Sequence, residues 1–102
     1  MPRPRKQKPV DLYARLEDVL QRAYDQAASG KGHERHAQGM PFDRQPMQLI
    51  SELINSPEGM RYQAIKKVQE AARLDHGHQV HEILGAINYL AGLVIYLENH
   101  EE

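Results

Sequence analysis

The stretch Ile83-Leu-Gly-Ala-Ile-Asn-Tyr-Leu-Ala-Gly-Leu-Val-Ile-Tyr-Leu97 contains one polar side chain, Asn88, besides the hydroxyls of Tyr89 and Tyr96. A helix that is apolar on all sides has to be covered on all sides. Fifteen residues fall short of the roughly 20 that a bilayer-spanning helix needs, and the flanking sequence does not extend the run. The sequence therefore predicts burial in protein, not in a membrane. Three other short helices are too few to surround this one, so a homo-oligomer with the last helix at the interface is expected. Gly85 and Gly92 within the run would permit close approach of a neighbouring helix.

Working outward from this helix, three further helical patterns and no strand alternation can be read. The first runs from about Asp11 to Ala28, with Leu12, Leu16, Val19, Leu20 and Ala23 on one face, Asp11 as the N-cap and Gly30 as the stop. The second runs from about Asp43 to Ile54, placing Met47, Ile50, Leu53 and Ile54 together, with Pro46 in its first turn. Ser56-Pro57-Glu58 reads as N-cap, first-position proline and first-turn acid of a third helix that ends near Leu74. Its apolar positions are Met60, Ala64, Ile65, Val68, Ala71 and Ala72, and Asp75-His76-Gly77-His78 breaks the pattern before a fourth helix over about Gln79–Glu98. The expected fold is all-α, a small bundle of about four helices. It forms a single helical domain over 11–102 preceded by a flexible basic tail over 1–10.

The composition narrows the function classes. A chain of 102 residues is at most one domain with a modest core of its own. The absence of cysteine excludes disulfides, thiolate metal sites and thiol catalysis, and suits a cytoplasmic setting. The net charge of −1 conceals an asymmetry: Arg3, Arg5, Lys6 and Lys8 open the chain, whereas Glu98, Glu101 and Glu102 close it. Four cations broken by Pro2, Pro4 and Pro9 read as a solvated tail, so specific nucleic-acid binding is not expected. No apolar stretch follows them, so no signal peptide is expected either.

Three constellations bear on chemistry. His33 and His36, and again His78 and His81, are spaced three apart, which on a helix puts both rings of a pair on one face. That spacing alone spells out neither a zinc site nor an iron triad. The loop Gly30–Phe42 with Arg44 has no periodicity but holds Lys31, Arg35 and Arg44 among glycines, a composition that suits phosphate through charge and backbone N–H groups. It lacks the terminal Gly-Lys-Ser/Thr of a P-loop. Phe42, the only phenylalanine, is either a staple onto the second helix or a platform for a base. Glu52, Glu70 and Glu82 fall near the helix turns. Carboxylates converging inside a bundle would hold a magnesium ion bridging phosphates, although Lys66, Lys67 and Arg73 beside Glu70 equally suit a salt-bridged surface.

The segment KVQEAARLDHGHQVHEILGAINYLAGLVIYLE, 67–98, resembles the core of the all-α MazG-type nucleotide pyrophosphohydrolases, in which a Glu-x-x-Glu helix precedes a helix of the form E-E-L-G-D-V-L-Y-Y-L. Glu70 matches the first acid and Glu82 opens the second motif, while Arg73, Ile83 and Ala86 stand where further acids belong. The stretch GKGHERHAQGMPF with the apolar end also resembles small bacteriophage dATP/dGTP diphosphohydrolase-like proteins. The resemblance implies an oligomeric helical scaffold with a nucleotide pocket, and the lost acids imply that a two-magnesium centre is missing.

The leading expectation is therefore an oligomeric, phage-type protein that binds a phosphorylated nucleotide or nucleotide signal without hydrolysing it and without a cofactor, in the host cytoplasm. Lys31, Arg35, Arg44 and Lys67 would take the phosphates, His33 and His36 would add polar contacts, and Phe42 or Tyr62 would stack on the base. Two alternatives stand beside it. One is a magnesium-dependent dNTP pyrophosphohydrolase using Glu52, Glu70 and Glu82. The other is a protein that acts by binding a host defence protein.

Overall fold

The computed structural model describes residues 11–29 and 39–101. Among them are four α-helices and a one-turn 3-10 helix, and no strand: α1 (Ala14–Ala28), the 3-10 turn (Phe42–Arg44), α2 (Pro46–Leu53), α3 (Glu58–Ala71) and α4 (His76–Asn99). The all-α bundle read from the sequence is the fold observed. The basic tail, 1–10, lies outside the described residues.

Helix α4 is the organising element. Asp75 caps it, its carboxylate accepting the His78 N–H at 3.0 Å. This cap draws His76, Gly77 and His78 into the first turn, so the helix is 24 residues long, beginning three residues before the expected start. At this length an 18-residue window of mean hydropathy 1.5 meets the requirement of a membrane span by length and composition, which the fifteen-residue run alone did not. Helices α3 and α4 form the principal packing pair, and α1 lies along another side of α4. Leu84, Ala86, Gly92, Leu93 and Tyr96 of α4 are buried against Met60, Ala64 and Ala71 of α3 and Ala23 of α1.

Gly92 explains the close approach of α3. A Cβ placed there would stand 2.9 Å from Met60 Sδ, inside van der Waals contact. The glycine thus serves a contact within the chain. The link between α2 and α3 is equally specific. Asn55 adopts the left-handed conformation at φ 54°, and the Ser56 and Asn55 N–H groups return to the Ser51 and Glu52 carbonyls at 2.9 and 3.2 Å. This is a Schellman closure with asparagine in the glycine position.

Several expected faces are turned. Helix α1 starts at Ala14 because the Asp11 carboxylate accepts the Tyr13 N–H at 2.9 Å and closes a turn before the helix instead of capping it. Its inward side is Val19, Ala23, Gln26 and Ala27, leaving Leu12 82% and Leu16 54% exposed. The second helix divides at Gln45, held at ψ 167° in front of Pro46, which disfavours helical backbone in the residue before it. Pro46 then takes the first helical position, not a later place in the first turn of a helix begun at Asp43. Helix α2 buries its polar side, Gln48 and Ser51, and turns Leu49, Ile50, Leu53 and Ile54 outward, Leu53 being 85% exposed. Hydrogen bonds satisfy the buried polar groups: Gln48 Nε2 donates across to the Gly92 carbonyl at 2.7 Å and ties this side to α4, and Ser51 Oγ donates to the Met47 carbonyl of its own helix at 2.7 Å. Ile65 and Val68 of α3 also face outward. The four-sided burial expected for α4 is not reached within one chain, since Ile83, Leu90, Val94 and Leu97 remain well exposed.

Candidate functional site

The segment leading into the 3-10 turn lies beside both α1 and α4. The result is a groove of about 510 Å³ between Leu20, Tyr24 and Ala28 of α1, Met40 and Phe42 of the turn segment, and Ile87, Ala91 and Ile95 of α4. This volume lies in the range of about 300–1,000 Å³ usual for small-molecule pockets. A second groove of about 380 Å³ lies on the other side of Phe42, lined by Met47, Gln48, Met60, Tyr89 and Gly92 among others. Phe42, Gln45 and Asn88 border both grooves. The turn sequence produces this placement: Pro41 is extended at ψ 157°, and Gln45 is extended in front of Pro46, so the Phe42–Arg44 turn is held between two fixed bends.

The polar side chains around Phe42 include Tyr24, Tyr89 and Gln63, and three amides anchored by their nitrogens. Asn88 Nδ2 donates to the Ala23 carbonyl at 2.9 Å, Gln45 Nε2 to the Met40 carbonyl at 2.8 Å, and Gln48 Nε2 to the Gly92 carbonyl at 2.7 Å. An amide NH2 has two hydrogens and its oxygen two lone pairs, so each anchored amide keeps hydrogen-bonding capacity beyond its anchor. Apolar walls, aromatic rings (Phe42 in both grooves, Tyr24 in the larger and Tyr89 in the smaller) and fixed amides suit a planar heteroaromatic group, whose faces are apolar and whose edge carries donors and acceptors.

The residues singled out from the sequence do not all meet here. Lys31, His33, Arg35 and His36 lie outside the described residues. Phe42 is at the groove, and Arg44 is exposed two residues further along the same turn. Tyr62 is exposed on α3 and is not among the lining residues of either groove. Lys67 is committed elsewhere: its Nζ lies 3.4 Å from Glu82 Oε1 and 5.9 Å from the centre of the Tyr89 ring. Its stem packs 3.3 Å from where a Gly85 Cβ would be.

Glu52, Glu70 and Glu82 likewise do not gather as a set of three. Glu82 faces Lys67, whereas Glu52 lies 3.9 Å from His100, whose ring stacks on Tyr96 at 3.9 Å. Among the described residues no three His, Asp or Glu side chains gather as a metal site. His78 Nδ1 sits 2.9 Å from the Asp75 carboxylate, and the backbone carbonyl of His81 accepts from Gln26 Nε2 at 3.1 Å.

Gln45, Gln48 and Asn88 were not read as site residues from the sequence. Asn88 alone carried a signal, as the one polar side chain with no evident partner in the Ile83–Leu97 run.

No family model, curated protein or solved structure matches this chain.

Proposed function

We propose that this chain is a non-catalytic binding protein of phage type that holds a phosphorylated nucleotide, or a nucleotide-derived signal, without hydrolysing it, and so sequesters it. The observation that carries the reading is Phe42, set between two apolar grooves and flanked by the anchored amides of Gln45, Gln48 and Asn88. The base occupies the larger groove against Phe42 and meets the amides of Gln45 and Asn88 with its edge. Arg44 lies on the same turn, where its planar guanidinium can grip a phosphate in a bidentate way. Tyr62 and Lys67 are left out of the site, the first for its position and the second for its pairing with Glu82.

A thermal-shift panel of dNTPs, NTPs, nucleoside monophosphates and cyclic dinucleotides tests this directly, since a ligand at 100 times its Kd adds about 2.7 kcal/mol of stability. At least one nucleotide class should raise the melting temperature. Phe42→Ala and Arg44→Ala should each weaken binding of that ligand, the arginine change by roughly 1.5–3 kcal/mol, with the fold retained. A panel without any shift overturns the reading.

A second reading, the capture of a host protein, is favoured by the outward apolar side of α2. Leu49, Ile50, Leu53 and Ile54 form a compact exposed patch there. It predicts no nucleotide response and a loss of partner binding in Leu53→Asp.

A further inference from the structure

Among the described residues, helices α1 and α3 cover two sides of α4 and leave a third open. Along that open side run Val80, Ile83, Ile87, Leu90, Val94 and Leu97, in steps of 3, 4, 3, 4 and 3. This is a heptad seam, and five of its six residues are between 37% and 52% exposed. Its a positions are Val80, Ile87 and Val94, all β-branched; its d positions are Ile83, Leu90 and Leu97. β-Branched residues at a with leucine at d favour two parallel strands. The seam bears no charge and no polar group.

We propose that a second copy of this chain docks on this face, α4 against α4 in parallel about a two-fold axis. The seam covers only about two and a half heptads and exposes on the order of 400 Å² of side chain, half of the roughly 800 Å² per partner that a stable interface buries. The flanks supply the rest. Gln63 of α3 lines the smaller groove with Tyr89 and Gly92. The opposite flank of α3, carrying Ile65 and Val68, therefore adjoins the Leu90 and Leu97 side of α4. On the other flank, Leu20 and Tyr24 of α1 share the larger groove with Ile87. In a parallel pair, the α1 flank of one copy faces the α3 flank of the other. Leu20 and Tyr24, 49% and 66% exposed, then meet Ile65 and Val68 of the second copy, 62% and 53% exposed. Seam and flanks together present on the order of 1,000 Å² per chain, enough for a standard interface. An antiparallel pair would instead put α1 on α1 and α3 on α3. The interface forms without any ligand, although Ile87, Leu20 and Tyr24 belong to both interface and groove, so the second copy forms an outer wall of the groove.

The chain has no cysteine, so single cysteines report orientation without background. Val80→Cys and Leu97→Cys, oxidised separately with copper phenanthroline, should each give a disulfide-linked dimer, because a parallel seam places equal positions opposite each other. Cross-linking only in a mixture of the two variants means an antiparallel pair and overturns the proposal. The unmodified chain should sediment as a dimer or a higher multiple of dimers at micromolar concentration, and Leu90→Asp should reduce it to monomer or unfold it. A stable unmodified monomer that does not cross-link in either variant overturns it as well. So does co-sedimentation of that monomer with phosphatidylcholine–phosphatidylglycerol vesicles, which would assign the face to lipid.

Discussion

Gln48 Nε2 donates to the carbonyl of Gly92 at 2.7 Å, joining α2 to the middle of α4 across 44 residues of sequence. Gln48 is 4% exposed, and this bond holds the polar side of α2 inward. Gln48→Met keeps the volume and removes the donor. It should destabilise the fold by about 1–3 kcal/mol, the usual effect of losing a buried hydrogen bond. Urea denaturation of the two proteins measures it, and an unchanged midpoint would mean that the bond does not orient the helix.

Gly92 and Met60 form a tight pair. With only 2.9 Å between a Gly92 Cβ and Met60 Sδ, and Met60 1% exposed, Gly92→Ala should cost about 1–3 kcal/mol through overpacking. Combined with Met60→Ala, the alanine gains room, so the double variant should be more stable than the sum of the single effects predicts. Additive losses would show that the two sites do not press on each other.

The Lys67–Glu82 pair predicts a division between stability and turnover. Both side chains are about three-quarters covered, so Lys67→Met should lower stability by about 1 kcal/mol and leave nucleotide affinity unchanged. With Glu82 so engaged, Glu52 beside His100, and Arg73 and Ala86 in place of acids, no dNTP hydrolysis with magnesium or manganese is expected. A phosphate-release assay checks this. Turnover that vanished in Glu70→Gln would establish a hydrolytic centre.

Asp75 gives a pH signature. The His78 backbone N–H, and then the His78 ring, hold its carboxyl below the usual aspartate range. A carboxylate lowered in the folded state contributes stability that is fully present above its unfolded pKa of about 3.9 and is lost as the pH falls through the folded value. Melting should therefore show an acid-side loss below about pH 4 that Asp75→Asn removes, because asparagine caps the helix without titrating. Equal acid sensitivity in both proteins would assign the loss to other carboxylates.

The sequence by itself determined that the protein is helical, where the four α-helices of the described residues lie and which one organises them. Apolar spacing, Pro46 and Pro57 at helix starts, and the unbroken Ile83–Leu97 run act locally, so they can be read without knowing what lies opposite. The direction in which each helix faces was decided only by the tertiary structure. Helix α2 is apolar on Ile50, Leu53 and Ile54, yet buries Gln48 and Ser51, because the Gln48 bond to Gly92 ties that side to α4 and Ser51 is satisfied by Met47 of its own helix. Helix α1 exposes the leucines that its periodicity would bury, because Val19, Ala23 and Ala27 meet α4 instead. The candidate site is likewise tertiary: Phe42 was legible as a lone aromatic, but the amides around it come from two helices and a turn up to 43 residues apart in sequence. Periodicity records how much apolar surface a helix carries; which neighbour covers it depends on groups distant in the chain.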